Sequence, residues 1–165
     1  LQPETTSQRQ AILEEADRYL QGKYTLLNLE FEEPQIDWHL DPQTNITAPL
    51  DFALDLNYRQ ADLVGNVKNI WEKNRHHHLT ILALAYSLTQ NEDYAIAVEQ
   101  QLLSWIKENP VLQGVNWASS LELAVRLISW TWCDRLLRGH YGLRSTGISG
   151  SLRNTIPTDH PAITI

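Results

Sequence analysis

Four stretches of the chain gather residue types able to do chemistry. They are Asp37-Trp38-His39-Leu40-Asp41-Pro42; the run from Lys68 to His78; Asn109-Pro110 followed by Gly114 and Asn116-Trp117; and Ser119-Ser120-Leu121-Glu122 followed by Arg126 and Trp130. Trp71, Arg75 and His78 recur at i, i+4 and i+7, and Ser119, Glu122, Arg126 and Trp130 at i, i+3, i+7 and i+11. On a helix each set shares one face. An indole can stack on the apolar face of a sugar ring, and a guanidinium can take a uronate carboxylate or sulfate in fork geometry. The same residues admit plainer roles. Indoles at helical spacing pack cores, and Glu122 with Arg126 makes a surface ion pair. Asp37 and His39 form either an acid/base pair or the packing of a loop.

Other chemistries find less support. His76, His77 and His78 are adjacent, so on a helix they point about 100° apart and cannot all reach one ion. They also lack the i, i+4 pair of helical zinc sites, and no metal is expected. No glycine-rich phosphate loop, nucleophile elbow or kinase motif is present, and no cofactor is expected. Cys133 is the one cysteine. It falls in an apolar helical stretch, which points to a buried free thiol rather than a nucleophile.

The elements that must position these groups are mostly helical. Residues 5 to 21 carry Ala11, Ile12, Ala16, Tyr19 and Leu20 at helical spacing, and Gly22 ends that helix. Residues 23 to 66 change character. Tyr24 to Phe31 predicts a short strand, Pro34, Pro42 and Pro49 forbid a long helix, and Trp38 and Phe52 are the expected anchors. A helix is predicted over about 67 to 89, apolar almost all round near Leu79 to Tyr86 and therefore buried. A second runs from about 92 to 108 on the stripe Ala95, Val98, Leu102, Trp105 and Ile106. A third spans about 117 to 138, with Asn116 at its N-cap and Leu121, Ala124, Ile128 and Trp132 towards the core. Short connections make these helices antiparallel neighbours. Residues 139 to 165 lose all apolar period and read as an irregular or disordered tail.

The chain has 165 residues and a formal net charge of −7. It lacks the basic face that nucleic acid requires and any apolar run long enough to span a membrane. No signal peptide is visible after Leu1-Gln2-Pro3-Glu4. With no methionine anywhere, the chain is expected to be a fragment or a processed product.

Several of these strings resemble a known family. Trp71-Glu72-Lys73-Asn74-Arg75-His76-His77-His78-Leu79, with Leu84-Ala85-Tyr86 and Leu88-Thr89, is similar to the amino-terminal region of heparinase II/III family proteins. So are Ile36-Asp37-Trp38-His39, Ser104-Trp105-Ile106 with Asn109-Pro110, and above all Gly114 to Arg126 ending at Ser129-Trp130. The resemblance covers about residues 20 to 135. It implies an arc of antiparallel helical hairpins from an incomplete α/α toroid, here truncated, and a periplasmic or secreted carbon–oxygen lyase. Such enzymes cleave uronate-containing polysaccharide by β-elimination. It gives no catalytic residue here, because the Asn-His helix and the β-sandwich of such enzymes have no counterpart in the chain. It implies a cleft role for Arg75, Asn116, Trp117, Glu122 and Arg126, to which the helical stripe adds His78, with an acidic polysaccharide as partner. Asn66 stands where relatives carry an acid two residues before Lys68. The competing reading is a tetratricopeptide-like interaction module without catalysis, although no repeat recurs at a fixed period.

Overall fold

A computed structural model describes residues 3–138 and residue 140. The expected tail from 139 onward therefore lies, His140 apart, outside the described residues. The described chain is mainly helical with two small antiparallel hairpins. Helix α1, Pro3–Leu20, stops where foreseen. Gly22 adopts φ +74°, and a Cβ there would stand 2.7 Å from Pro34 Cα, so the chain turns tightly beneath the following loop only with glycine.

The predicted single strand is instead a hairpin. β1 (Lys23–Leu26) pairs with β2 (Leu29–Glu32) from Lys23↔Glu32 to Leu26↔Leu29. Leu27 and Asn28 both have positive φ, the backbone of a two-residue turn whose twist suits the strands. No Gly marks this turn, so pattern reading missed it. A second hairpin joins β3 (Leu40–Asp41) to β4 (Ile46–Thr47), and a short helix α2 (Ala61–Val64) follows. Trp38 anchors this segment and is fully buried, but the Phe52 ring is 47% exposed, and that residue holds the segment only through a backbone bridge to Gln113.

Two corrections concern the helices that carry the site. The predicted helix 67–89 is two helices, α3 (Val67–Asn74) and α4 (His77–Thr89). The break is at His76, buried with φ 63°, whose Nδ1 accepts a 2.7 Å hydrogen bond from Trp130 Nε1. That partner lies 54 residues away in sequence, so no local pattern announces it. Asn66 caps α3, its side chain accepting from Lys68 N at 3.2 Å. α4 is the buried central helix, as expected, with α1, α5 (Glu92–Glu108) and α6 (Ser120–Leu136) packed around it.

In α6 the predicted core face is inverted. Leu121, Ile128 and Trp132 are 63%, 60% and 51% exposed, whereas Glu122 and Arg126 are 2% and 3% exposed beside buried Ser129 and Cys133. The inner face is polar because it meets groups that need partners, described below. Asn116 is no N-cap: it sits in a 3₁₀ turn, Val115–Trp117, and Ser119 occupies the cap position of α6.

Candidate functional site

The residues singled out by spacing, His78 excepted, meet where α3 ends, α6 begins and the 3₁₀ turn crosses between them. Asn74 is the hub. Its Nδ2 donates to Trp38 O and Ile70 O, both at 2.8 Å, and its Oδ1 accepts from Trp105 Nε1 at 2.7 Å. Its own carbonyl accepts from Arg126 Nε at 2.8 Å. Arg126 also donates through a terminal nitrogen to Asn116 O at 3.2 Å, and its guanidinium lies 4.4 Å from the Trp105 ring centre. Asn116 Nδ2 in turn donates to Asn109 Oδ1 at 2.8 Å. Buried carbonyls at the break between α3 and α4 thus draw in a side chain with several donors, which rotates the polar face of α6 inward. Burial pushes the Arg126 pKa down to about 10, with Glu122 opposing.

Arg75 sits one step outward. Its Nε and a terminal nitrogen grip both oxygens of Glu122 at 2.7 and 2.9 Å, and its other terminal nitrogen reaches Glu72 at 2.5 Å. The hydrogen bond to Glu122, more than any other influence, raises the Arg75 pKa. Two carboxylates flank one guanidinium, so a ligand carboxylate must compete with Glu122 for the fork. The structure therefore brings Arg75, Asn116, Trp117, Glu122 and Arg126 together. His78 stands apart, buried towards α1 and β1, 3.0 Å from Gln101 Oε1 and edge-on to Tyr19 and Tyr24. Burial above all lowers its pKa to about 4. His76, more enclosed still, has a pKa held well below the usual histidine value by burial, then by the nearby His78 and Arg126. Because its Nδ1 accepts from Trp130, its proton belongs on Nε2.

An indole groove opens beside this cluster. Trp105 forms its floor, with Trp130 edge-on at 5.4 Å and Trp117 tilted at 5.8 Å between ring centres. Two cavities of about 450 and 230 Å³ share these three rings; the larger is rimmed by Lys107, Pro110 and Val111, the smaller by Leu123, Arg126 and Leu127. Trp117 Nε1 is buried with no hydrogen-bond partner among the described residues. Sequence spacing places Trp105 in the core stripe of α5, and it does lie in the core, 2% exposed, backing a groove whose accessible rings are Trp117 and Trp130. Asn74 was not singled out at all, since nothing local distinguishes a buried asparagine from a surface one.

Asp37 and His39 do not face one another as acid and base. Asp37 Oδ1 accepts from the backbone of His39 and Leu40 at 2.9 and 3.2 Å, while the His39 ring bonds Glu108 O at 3.0 Å. Their role is to pack the loop. Asp41 is the residue of that stretch that sequence reading passed over. Fully buried, it accepts from Thr44, Asn66, Asn69 and Gln43. Burial opposes its ionisation, but these hydrogen bonds outweigh it and hold its carboxyl below the usual range. Cys133 is buried, with a pKa pushed up to about 12 by burial. Among the described residues no His, Cys, Asp and Glu converge as a metal site, and no helix is long and apolar enough to cross a membrane.

Residues 4–133 match the family model described as Heparinase II/III N-terminus. No curated protein and no protein of solved structure gives a significant match.

Proposed function

The chain belongs to the heparinase II/III N-terminus family, and is thereby related to polysaccharide lyases; from that premise we propose that it is the helical, sugar-holding part of a lyase acting on uronate-containing polysaccharide outside the cytoplasm. The helices around α4 then form one arc of an α/α toroid. The lyase reaction neutralises the uronate carboxylate, removes the C5 proton and protonates the departing glycosidic oxygen. No residue of this chain is given those proton transfers. Its part is to hold the polymer.

The observation that carries this reading is the groove of Trp105, Trp117 and Trp130 within the family-matched region. Sugar rings stack on the open faces of Trp117 and Trp130, and Lys107 at the rim receives a carboxylate. Arg126, lying against the Trp105 ring, fixes the indoles from beneath, and the Asn116 carbonyl holds Arg126. The Arg75–Glu122 pair sets the entrance of α6, with Arg75 exchanging onto an acidic sugar, while His78, packed against Tyr19, Tyr24 and Trp38, takes no part in the groove. Covering about 60 Å² of indole stabilises a bound ring by about 1.5 kcal/mol, roughly tenfold in affinity. Affinity electrophoresis through gels containing alginate or heparan sulfate tests this. Retardation that Trp117→Ala reduces and Glu14→Ala preserves supports it; equal retardation of all three proteins removes it.

A second reading is an interaction module without catalysis. The uncovered apolar side of α6 (Leu121, Leu127, Ile128, Trp132) favours it, since a face of this kind suits a protein surface. Sedimentation that shows association lost on Ile128→Glu, with no retention by any uronan, selects this reading over the first.

A further inference from the structure

A separate cavity of about 410 Å³ lies where the end of α1, the loop after β2 and helix α5 meet, on a different face of α5 from the indole groove. We propose that it is a binding site for an uncharged hexose-type sugar. The inference does not depend on the groove reading. The cavity falls within the size range of small-molecule sites, and its walls are amphipathic in the way a sugar ring is. Ile96 and Ala97 present an apolar strip, while Gln35, Gln100, Gln101 and Ser104 supply amides and a hydroxyl.

Two of these polar groups are held in place before any ligand arrives. Gln101 Oε1 is 3.0 Å from His78 Nε2, and its side chain also bonds the Tyr24 hydroxyl. Ser104 Oγ accepts from Trp38 Nε1 at 3.1 Å and donates to Glu108 at 2.7 Å. Fixed orientation lowers the ordering cost of binding. Gln35 and Gln100 are exposed arms able to close on hydroxyl groups.

The charge pattern decides the ligand class. No Lys or Arg lines the cavity, and Asp93 does. With a net charge of −7 over the chain, a uronate or sulfate entering here meets repulsion and no cation. A neutral sugar meets hydrogen-bonding groups, the Asp93 carboxylate included, and the apolar strip of Ile96 and Ala97.

The test is titration of the ¹⁵N-labelled full chain with methyl β-glucoside, in parallel with methyl β-glucuronide. The side-chain amide signals of Gln35, Gln100 and Gln101 should shift with a dissociation constant of about 1–10 mM for the glucoside, at least about tenfold weaker for the glucuronide. Raising salt to about 0.5 M should leave the glucoside affinity unchanged. Ala97→Phe fills the cavity and should abolish the shifts. Gln100→Ala, at an exposed position that does not endanger folding, should weaken them, and Trp117→Ala should leave them intact. Absence of shifts with the glucoside, equal response to the glucuronide, or full binding by both cavity variants overturns the proposal. Failure here leaves the groove untouched, because the groove is read by Trp117→Ala.

Discussion

Lowering the pH from 7.5 to 5.0 should destabilise this fold by about 2 kcal/mol through His78 alone. His78 is enclosed by Tyr19, Tyr24 and Trp38, and burial, only partly offset by its bond to Gln101, brings its pKa from 6.5 to about 4. The folded pKa lies below the unfolded one, so as pH falls the unfolded chain takes up the proton first. The stabilisation is complete above about pH 6.5, is lost as pH falls through the window down to about 4, and then levels off. At pH 5.0 the histidine is almost fully charged in the unfolded chain and about one-tenth charged in the native one, which gives the 2 kcal/mol figure to order of magnitude. His76, shifted further the same way, adds to the loss. Glu33, whose carboxyl burial raises above its usual value, opposes it, because the native chain then takes up that proton first as pH falls. Urea unfolding followed by circular dichroism at several pH values measures the slope. His78→Gln, which keeps a neutral partner for Gln101, should lose about 2 kcal/mol of the acid sensitivity. Equal slopes for wild type and variant would refute the assignment of that sensitivity to burial of His78.

Other consequences follow from the same buried groups. Lys73 is enclosed by Glu33, at 3.1 Å to each oxygen, and by the carbonyls of Asp37 and Leu40 at 2.6 and 3.0 Å. Glu33→Ala strands that ammonium and should cost about 3–5 kcal/mol in chemical denaturation, whereas Glu33→Ala combined with Lys73→Met should recover most of it. Arg126→Met leaves the carbonyls of Asn74 and Asn116 short of donors and should lower stability by about 2–4 kcal/mol, a loss that Arg126→Lys does not repair because one ammonium cannot reproduce the fork. Cys133 should resist a thiol reagent at pH 8 in the native chain and react promptly in urea, as its burial and raised pKa require.

Much of the fold was legible in local pattern. The span of α5, the stop of α1 at Gly22 and the enclosure of α4 follow from apolar period and turn chemistry. The break at His76 was not legible, because a left-handed histidine is held there by Trp130 and by burial, both tertiary facts. α6 misled for a physical reason. Leu121, Ile128 and Trp132 make a convincing apolar stripe, and Glu122 with Arg126 makes a convincing solvent face. Unsatisfied carbonyls at Asn74 and Asn116 reverse that preference, and no scan of α6 alone can see them. The meeting of Arg75 with Glu122 was partly readable, since helical spacing put each on a marked face. That Glu122 would occupy the Arg75 fork was not.

The most direct test of the sugar-holding groove is to follow the indole N–H signals of all six tryptophans while titrating the chain with uronan oligosaccharides. The groove account predicts saturable shifts at Trp117 and Trp130, with buried Trp38 unmoved. Saturable binding that leaves Trp117 and Trp130 unshifted, or no binding by any uronan, contradicts it.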